Sequence, residues 1–400
     1  MTNSKGCGVS TWGIGFVAVA VLAGCGGSVD LRSEGTGGSS GRIGAGSSGS
    51  GGDSFHNGGT AGSEIAGSAP TLGGGPSDPT QVTPGPVVEA LAPVMVDDGI
   101  TLSDGVPVGG VYAFDANRGG AGRAIYLSSL DTPDCALRLT SPTVQAKQPV
   151  FSPDLKHLAY AAQTEGKYQI HILDLQTGLA EQVTDLAYGA TGPAYSPDGK
   201  RLAFLTGDSD SDSSGGGWTI DLFDVMVLDL AERTQRVVLS SGEQGCCVNN
   251  VRTPTFFNDH EVALSTLTEI IAVDFETFKA RRVMPISGRI PNPQDPSPSP
   301  DGVRYVYVDR CDGGLSLFIG RVDGSSGDSC SGATKIPVPF EVIGTDWGQQ
   351  GYIAAARKDG ERGIVLFDDE SYETTEPAGA KGGNNPAWAP AGVELAVSCE

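Results

Sequence analysis

The stretch PAYSPDGKRLAF, residues 193–204, combines a proline, an aromatic residue, a tight turn and a short apolar alternation. Its centre is Ser-Pro-Asp-Gly at 196–199, where proline presets φ for a type I turn and glycine accepts left-handed backbone. Pro193 can begin a strand because the first residue of a strand need not donate to the ladder. Beyond the turn, Leu202 and Phe204 point to the same face of a strand. The stretch therefore predicts a β-hairpin.

The same hairpin pattern returns along the chain. Its copies begin at Pro149, Pro193, Pro254, Pro296, Thr345 and Pro386. The steps between these starts are 44, 61, 42, 49 and 41 residues, and the long step contains the insertion GDSDSDSSGGGW at 207–218. A repeat of about 40–45 residues built of four strands is typical of a β-propeller blade.

Two further strands are predicted between the copies. The first is a run rich in β-branched residues, and the second is a short polar run. The β-branched runs are residues 169–175, 225–230, 270–275, 315–321 and 363–369. Each unit therefore has four strands, and the repeat region shows no helical periodicity.

The repeat resembles the WD40-like (PD40) repeat of TolB-family β-propellers, over residues 109–400. The resemblance implies an all-β fold, a six-bladed propeller of four-stranded antiparallel blades. The first unit lacks its Pro-aromatic strand and the last, from Pro386, supplies one, so we expect the C-terminal strand to close the ring. The run VELAVS at 393–398 is an additional strand, which leaves a seventh, partial blade open.

The N-terminus has the features of an exported protein. Residues 1–24 form a predicted signal peptide, in which the apolar run is too short to span a bilayer. The run ends in Leu-Ala-Gly-Cys at 22–25, which resembles the lipobox of bacterial lipoproteins. The resemblance implies that Cys25 carries lipid, and Gly26 after it implies the outer membrane. The alternative is an ordinary signal cleaved nearby, with Cys25 as a spare thiol.

Residues 25–108 are predicted to be a disordered linker after the lipidated cysteine. The segment is rich in glycine, serine and proline and has few large apolar residues. Such a composition cannot bury enough surface to offset the entropy of folding. We therefore expect a flexible tether between the membrane and the repeats.

Composition excludes some functions and suggests disulfides. A net charge of −22 repels nucleic-acid phosphates, so no nucleic-acid partner is expected. The cysteines left after processing are Cys135, Cys246, Cys247, Cys311, Cys330 and Cys399. Their places in the units favour the pairs Cys311 with Cys330 and Cys135 with Cys399, while the pairing of Cys246 and Cys247 stays open. No thiolate metal site and no cofactor is predicted.

The sequence shows no marked catalytic set. The four histidines are His56, His157, His171 and His260. His56 lies in the tether and the others lie at repeat strands of different units, so we expect a protein that is not an enzyme.

Acidic residues concentrate in the insertion at 207–218 and just after it. In a propeller the Ser-Pro-Asp-Gly turns share one face, and the longer connections lie on the opposite face. The candidate partner-binding residues there are Asp208, Asp210, Asp212, Asp221 and Asp224. Loops held by a rigid scaffold often carry function, and these charges would attract a basic segment. They could equally serve only to keep the protein soluble.

The insertion also contains a partial match to a calcium-binding loop. The alternation of Asp208, Asp210 and Asp212 is like the start of a calcium loop. Ser213 and Thr219 stand where that loop needs glycine and glutamate, so a solvated loop is favoured and no metal is predicted.

Two hypotheses for function follow. The first is a monomeric, lipid-anchored β-propeller of the cell envelope, acting as a protein-binding or scaffold module for an envelope protein or peptide segment of basic character. The alternative is a periplasmic lyase or hydrolase acting on polysaccharide or peptide in the propeller channel. TolB itself carries an α/β domain ahead of its propeller and is not lipidated, so a role in the Tol system is not expected.

Overall fold

A computed structural model describes most of the repeat region and parts of the segment before it. The described residues are 80–81, 87–89, 94–96, 107–108, 110–118, 120, 122–141, 143–206, 224–240, 254–265, 269–284, 293–310, 314–326, 332–348, 351–358, 362–390 and 395–396. Their secondary structure is almost entirely β, with one 3-10 helix at Ala378–Ala380. None of the described helices is long and apolar enough to cross a bilayer.

Six antiparallel sheets form the blades of a propeller. From the innermost strand outward, blade 1 comprises Gly383–Trp388, Val111–Asn117, Arg123–Ser129 and Leu137–Arg138. Blade 2 comprises Ala146–Phe151, His157–Thr164, Lys167–Asp174 and Ala180–Gln182. Blade 3 comprises Ala190–Tyr195, Arg201–Thr206, Asp224–Asp229 and Thr234–Ser240.

The remaining blades repeat the same order of strands. Blade 4 comprises Thr255–Phe256, Glu261–Ser265, Ile270–Asp274 and Lys279–Met284. Blade 5 comprises Gln294–Pro298, Arg304–Asp309, Ser316–Arg321 and Thr334–Ile336. Blade 6 comprises Val342–Trp347, Tyr352–Arg357, Gly363–Asp368 and Thr374–Thr375. The predicted all-β, six-bladed propeller is confirmed.

Blade 1 contains both ends of the repeat region. Its innermost strand, Gly383–Trp388, comes from the C-terminal unit and pairs with Val111–Asn117, with Trp388 opposite Tyr112. Ring closure through the C-terminal strand is therefore as predicted. The seven-bladed alternative is wrong, because Leu395–Ala396 pairs with Pro107–Val108 in a separate two-stranded ribbon.

The core is divided among the junctions between blades. Six clusters of buried apolar residues are found, and each joins two neighbouring blades. In blade 3, Leu202 and Phe204 pack toward blade 2, whereas Ala203 and Leu205 pack toward blade 4. Both faces of the strand are thus buried, and each large apolar side chain stabilises its junction by about 1.5–3 kcal/mol.

The Ser-Pro-Asp-Gly turn is built as the sequence predicts. Gly199 has φ 71°, and the equivalent Gly302 has φ 68°. The Ser196 hydroxyl donates to Asp198 at 2.7 Å and accepts from the backbone of Arg201 at 3.0 Å. These bonds tie the two strands of the hairpin together at the turn.

The segment before the first blade differs from the prediction. Three short strands add a fifth, outermost strand to successive blades: Thr80–Gln81 to blade 4, Val87–Glu89 to blade 3 and Val94–Val96 to blade 2. We call these three strands the strap. The predicted disordered linker at 25–108 therefore does not extend unbroken to residue 108, since open strand edges accept main-chain hydrogen bonds even from a segment of low apolar content.

Candidate binding surfaces

The innermost strands share an unusual backbone feature near the propeller axis. In five blades the pairing with the second strand shifts register at a β-bulge. The bulge residues have positive φ: Asn385, Gln148, Gly192, Asp295 and Gly344. Such backbone is costly for residues other than glycine, and bulges of this kind often re-aim side chains. Three of these residues, Gln148, Asp295 and Asn385, carry polar side chains that line one small cavity.

Hydrogen bonds at this level connect neighbouring blades. Each joins a polar side chain of one blade to a backbone N–H of the next. The bonds are Gln148 N–H to Asp115 Oδ1 at 2.9 Å, Gly192 N–H to Gln148 Oε1 at 3.1 Å, Gly344 N–H to Asp295 Oδ2 at 3.1 Å and Trp388 N–H to Asp346 Oδ2 at 2.6 Å. They link blades 1 to 2, 2 to 3, 5 to 6 and 6 to 1. We call this set the axial ring.

Space within the axial ring is small. The cavity there measures about 40 Å³ and is lined by Gln148, Pro149, Pro193, Asp295, Gly344, Thr345, Asn385 and Pro386. That volume has room for a water molecule but not for a sugar ring or a peptide.

A larger cavity lies on the face that carries the Ser-Pro-Asp-Gly turns, which we call the turn face. It has a volume of about 840 Å³ and runs between blades 2 and 3. Cavities of this size are typical of ligand sites. We call it the groove, and its lining includes Met95 of the strap together with Asp154, His157, Asp174, Leu179, Glu181, Tyr195, Asp198, Lys200, Leu230 and Arg233.

The first residue of the second strand differs at the groove from its equivalents at three other junctions. At three other junctions this residue packs on an aromatic ring of the next blade. The contacts are Arg201 with Phe275 at 5.1 Å, Arg304 with Trp347 at 4.8 Å and Tyr352 with Trp388 at 6.2 Å, measured to ring centroids. In blade 2 the same position is His157, which is shorter than arginine, and the groove lies beside it.

Two polar atoms in the groove are buried without a hydrogen-bond partner among the described residues, the Tyr195 hydroxyl and Nη1 of Arg233. Burial, and then the charge of Asp154, raises the pKa of Tyr195, so its hydroxyl stays protonated and can donate. Nη2 of Arg233 lies 3.8 Å from Glu181 Oε2. Buried polar atoms without partners are costly, and a ligand that bonds to them recovers that cost.

Apolar and acidic groups surround these donors. Met95 and Leu179 are 52% and 57% exposed, which is high for large apolar side chains. Burial alone would raise the pKa of Asp198, but bonds from the Ser196 hydroxyl and from Lys200 hold it at about 2. The pKa of Asp174 is lowered mainly by the backbone N–H of Thr177. Both carboxylates are therefore charged at neutral pH.

The histidines of the repeat region lie apart. His157 lies at the groove, and its backbone N–H donates to the Ser152 hydroxyl at 3.0 Å. His171 is buried in blade 2, with Nε2 3.2 Å from the Thr164 hydroxyl. His260 Nδ1 lies 3.2 Å from Glu276. These three histidines therefore lie at separate places in the structure, as expected from their positions in different repeat units.

Most residues singled out from sequence lie outside the described residues. They are Cys25, the insertion residues Asp208, Asp210, Asp212 and Asp221, and the cysteines Cys246, Cys247, Cys311, Cys330 and Cys399. Asp224 is described: it begins the third strand of blade 3 opposite Thr206, at the end of the blade distant from the turn face. A role for these aspartates in partner binding stays a prediction.

Cys135 forms a disulfide bond. No other cysteine falls within the described residues, so pairing with Cys399 stays a prediction. Gly379 packs against the backbone of Cys135, where an added Cβ would lie 2.3 Å from its carbonyl oxygen. Within the described part of the chain, no group of three or more histidine, cysteine, aspartate or glutamate residues is placed to hold a metal ion.

Solved structures similar to this chain include a TolB protein. TolB from Acinetobacter baumannii superposes with a TM-score of 0.53 at 17% identity, covering 70% of this chain and 67% of that one. The fold is that of a TolB-like β-propeller. A nidogen–laminin complex structure also matches this TolB-like propeller, with a TM-score of 0.52 at 11% identity over 70% of this chain and 98% of that one.

In sequence, a short part of this TolB-like propeller is similar to a peptidase. No protein-family model matches the chain. An uncharacterized peptidase of Bacillus subtilis, YuxL, is 33% identical over 78 residues, which is 19% of this chain and 11% of the length of that protein. This similarity contradicts the prediction that the chain is not an enzyme, and that prediction is not retained. Scarcity of histidine was a weak reason, since one histidine suffices for a general base.

Proposed function

We propose that this chain is an exported, membrane-tethered propeller that binds polypeptide segments in the groove of its turn face. The observation that carries the proposal is the open junction between blades 2 and 3, where three other junctions are filled at the equivalent position. A polypeptide suits the groove because it offers both apolar side chains and backbone carbonyls. The similarity to YuxL, which is named as a peptidase, supports a peptide as the ligand class.

The groove replaces the opposite face, which carries the longer connections, as the proposed site. Its exposed apolar side chains, Met95 and Leu179, lie beside buried donors, which is the mixture expected of a specific binding site. The acidic residues near 208–224 remain a second candidate for attracting a basic partner, acting through long-range charge rather than through a cavity.

The cell-envelope location rests on the signal peptide, the Leu-Ala-Gly-Cys sequence at 22–25 and the TolB-like fold. Lipid on Cys25 would hold the propeller near a membrane. Gly26, the residue that follows it, favours the outer membrane.

Replacing the lipidated cysteine should release the protein. We expect Cys25→Ser to move it from the membrane fraction to the soluble fraction of the envelope, because the lipid is the proposed anchor. Fractionation with intact-mass measurement tests this. A variant that stays in the membrane fraction with unchanged mass would exclude lipidation at Cys25.

A photo-crosslinker in the groove should capture the ligand directly. We expect p-benzoylphenylalanine at Leu179 to give discrete crosslinked products in cells, because this side chain is 57% exposed at the groove. The matched control is Val303, which is 43% exposed on the turn face of blade 5, where Arg304 fills the junction. The products at Leu179 should disappear when His157→Arg closes the groove. Equal crosslinking at both positions, or products that survive His157→Arg, would refute the site.

A further inference from the structure

We infer that the groove selects an extended segment with an apolar side chain flanked by basic ones. This inference rests on the proposed function and names its ligand class. Three features of the groove lead to it: the apolar wall, the pair of buried donors, and the excess of carboxylates along its length.

The apolar wall accepts one side chain. Met95 of the strap and Leu179 of blade 2 stand on one side, and Leu230 of blade 3 stands at the position that Phe275 occupies in blade 4. Arg201 covers Phe275, whereas the residue equivalent to Arg201 beside Leu230 is the shorter His157. A leucine or methionine of the ligand fits this space and removes exposed apolar surface from water.

The buried donors fix the main chain of the ligand. Tyr195 Oη and Arg233 Nη1 each have a hydrogen to donate and no acceptor among the described residues. Peptide carbonyls are acceptors present at every residue of an extended segment. Bonds to these carbonyls hold the segment in place whatever its sequence. The groove can therefore combine sequence-independent binding of the main chain with one selective apolar contact.

The carboxylates select the charge of the neighbouring side chains. Asp154, Asp174, Glu181 and Asp198 line the groove, against the cations Lys200 and Arg233. Lys200 lies 3.1 Å from Asp198, and Arg233 lies 3.8 Å from Glu181, so these cations are already engaged. Asp154 lies 3.6 Å from Nζ of Lys156, whereas Asp174 forms no ion pair with the described residues. Asp174 therefore leaves a negative potential beside the apolar wall, which favours lysine or arginine in the ligand.

Defined peptides test the ligand class. The probe is a short blocked peptide with a central leucine flanked by lysines, compared with a peptide in which glutamates replace the lysines and one in which glycine replaces the leucine. We expect the lysine-leucine peptide to bind the purified protein about tenfold more tightly than either. Titration calorimetry at low and high salt measures this, and the preference over the glutamate peptide should shrink with salt.

Three variants test whether the peptide binds in the groove. His157→Arg should abolish binding while leaving the melting temperature unchanged or higher, because the guanidinium can stack on Tyr195 as Arg304 does on Trp347. Val303→Arg adds the same charge to the turn face without closing the groove and should bind normally. Tyr195→Phe removes one donor and should weaken binding about threefold to tenfold.

The outcomes separate this inference from the proposed function. A glutamate peptide that binds as well as or better than the lysine peptide would overturn the inference, even if the crosslinks at Leu179 persist and keep the groove as a site. Binding of the lysine peptide that is unaffected by His157→Arg would also overturn it, because the peptide would then bind elsewhere. A preference for lysine that disappears with His157→Arg and persists in Val303→Arg supports it.

Discussion

Ending the chain after Gly382 is expected to abolish cooperative unfolding. This change removes Gly383–Trp388, the innermost strand of blade 1, and leaves Val111–Asn117 as an unpaired edge at the centre of the ring. Trp388 is buried, and loss of a buried tryptophan alone costs about 3–5 kcal/mol, a large part of the 5–15 kcal/mol by which a typical domain is stable. Circular dichroism during thermal unfolding measures the transition.

The control variant ends after Pro390. It keeps Gly383–Trp388 but lacks the ribbon strand Leu395–Ala396, and it should melt close to the complete protein. Both variants are measured with reductant, so that the disulfide of Cys135 does not contribute to the difference. If the protein ending at Gly382 melts as sharply and as high as the control, the C-terminal strand does not close the ring.

Much of the fold could be predicted because the repeat is a local signal. A proline, an aromatic residue and a Ser-Pro-Asp-Gly turn determine a hairpin within a dozen residues, whatever the rest of the chain does. Even the weak copy at Thr345 forms blade 6, where Gly344 supplies the left-handed bulge and Trp347 the aromatic residue.

The strap could not be predicted in the same way. Thr80–Gln81 and Val87–Glu89 are too short to be stable alone, and they form because blades 4 and 3 offer open edges. Pairing with a partner some 150 to 200 residues away leaves no mark in the local composition, which is that of a linker. The valines of Val94–Val96 are a weak local sign of β-structure.

The groove was missed for a related reason. Nothing about His157 by itself indicates a cavity. Its meaning comes from comparison with Arg201 and Arg304 at the same position of other blades, together with knowledge that those arginines reach the next blade. The polar residue before the proline in three innermost strands, Gln148, Asp295 and Asn385, is a similar signal. It is visible in the repeats, but only the structure shows that Gln148 and Asp295 take part in the axial ring.

Asp115 connects the two ends of the repeat region and the second blade. It is fully buried in blade 1, and its Oδ1 accepts from the backbone N–H of Gln148 at 2.9 Å and from Nδ2 of Asn385 at 2.8 Å. Its Oδ2 lies 3.4 Å from Nη1 of Arg123. One carboxylate thus joins a strand of the first unit to the closing strand, to blade 2 and to a half-buried cation.

Replacing Asp115 with alanine is expected to destabilise the protein by about 3–5 kcal/mol, because the donors of Gln148 and Asn385 lose a buried acceptor and Arg123 loses an ion pair. Asp115→Asn is the matched control: its amide oxygen can still accept both bonds made by Oδ1, so it loses only the charge pair and should cost about half as much or less. Chemical denaturation of the two variants separates these contributions. Equal losses for both would mean that the pairing with Arg123, rather than the bonds across the closure, carries the effect. A loss below about 1 kcal/mol for alanine would show that Asp115 does not hold the ring together.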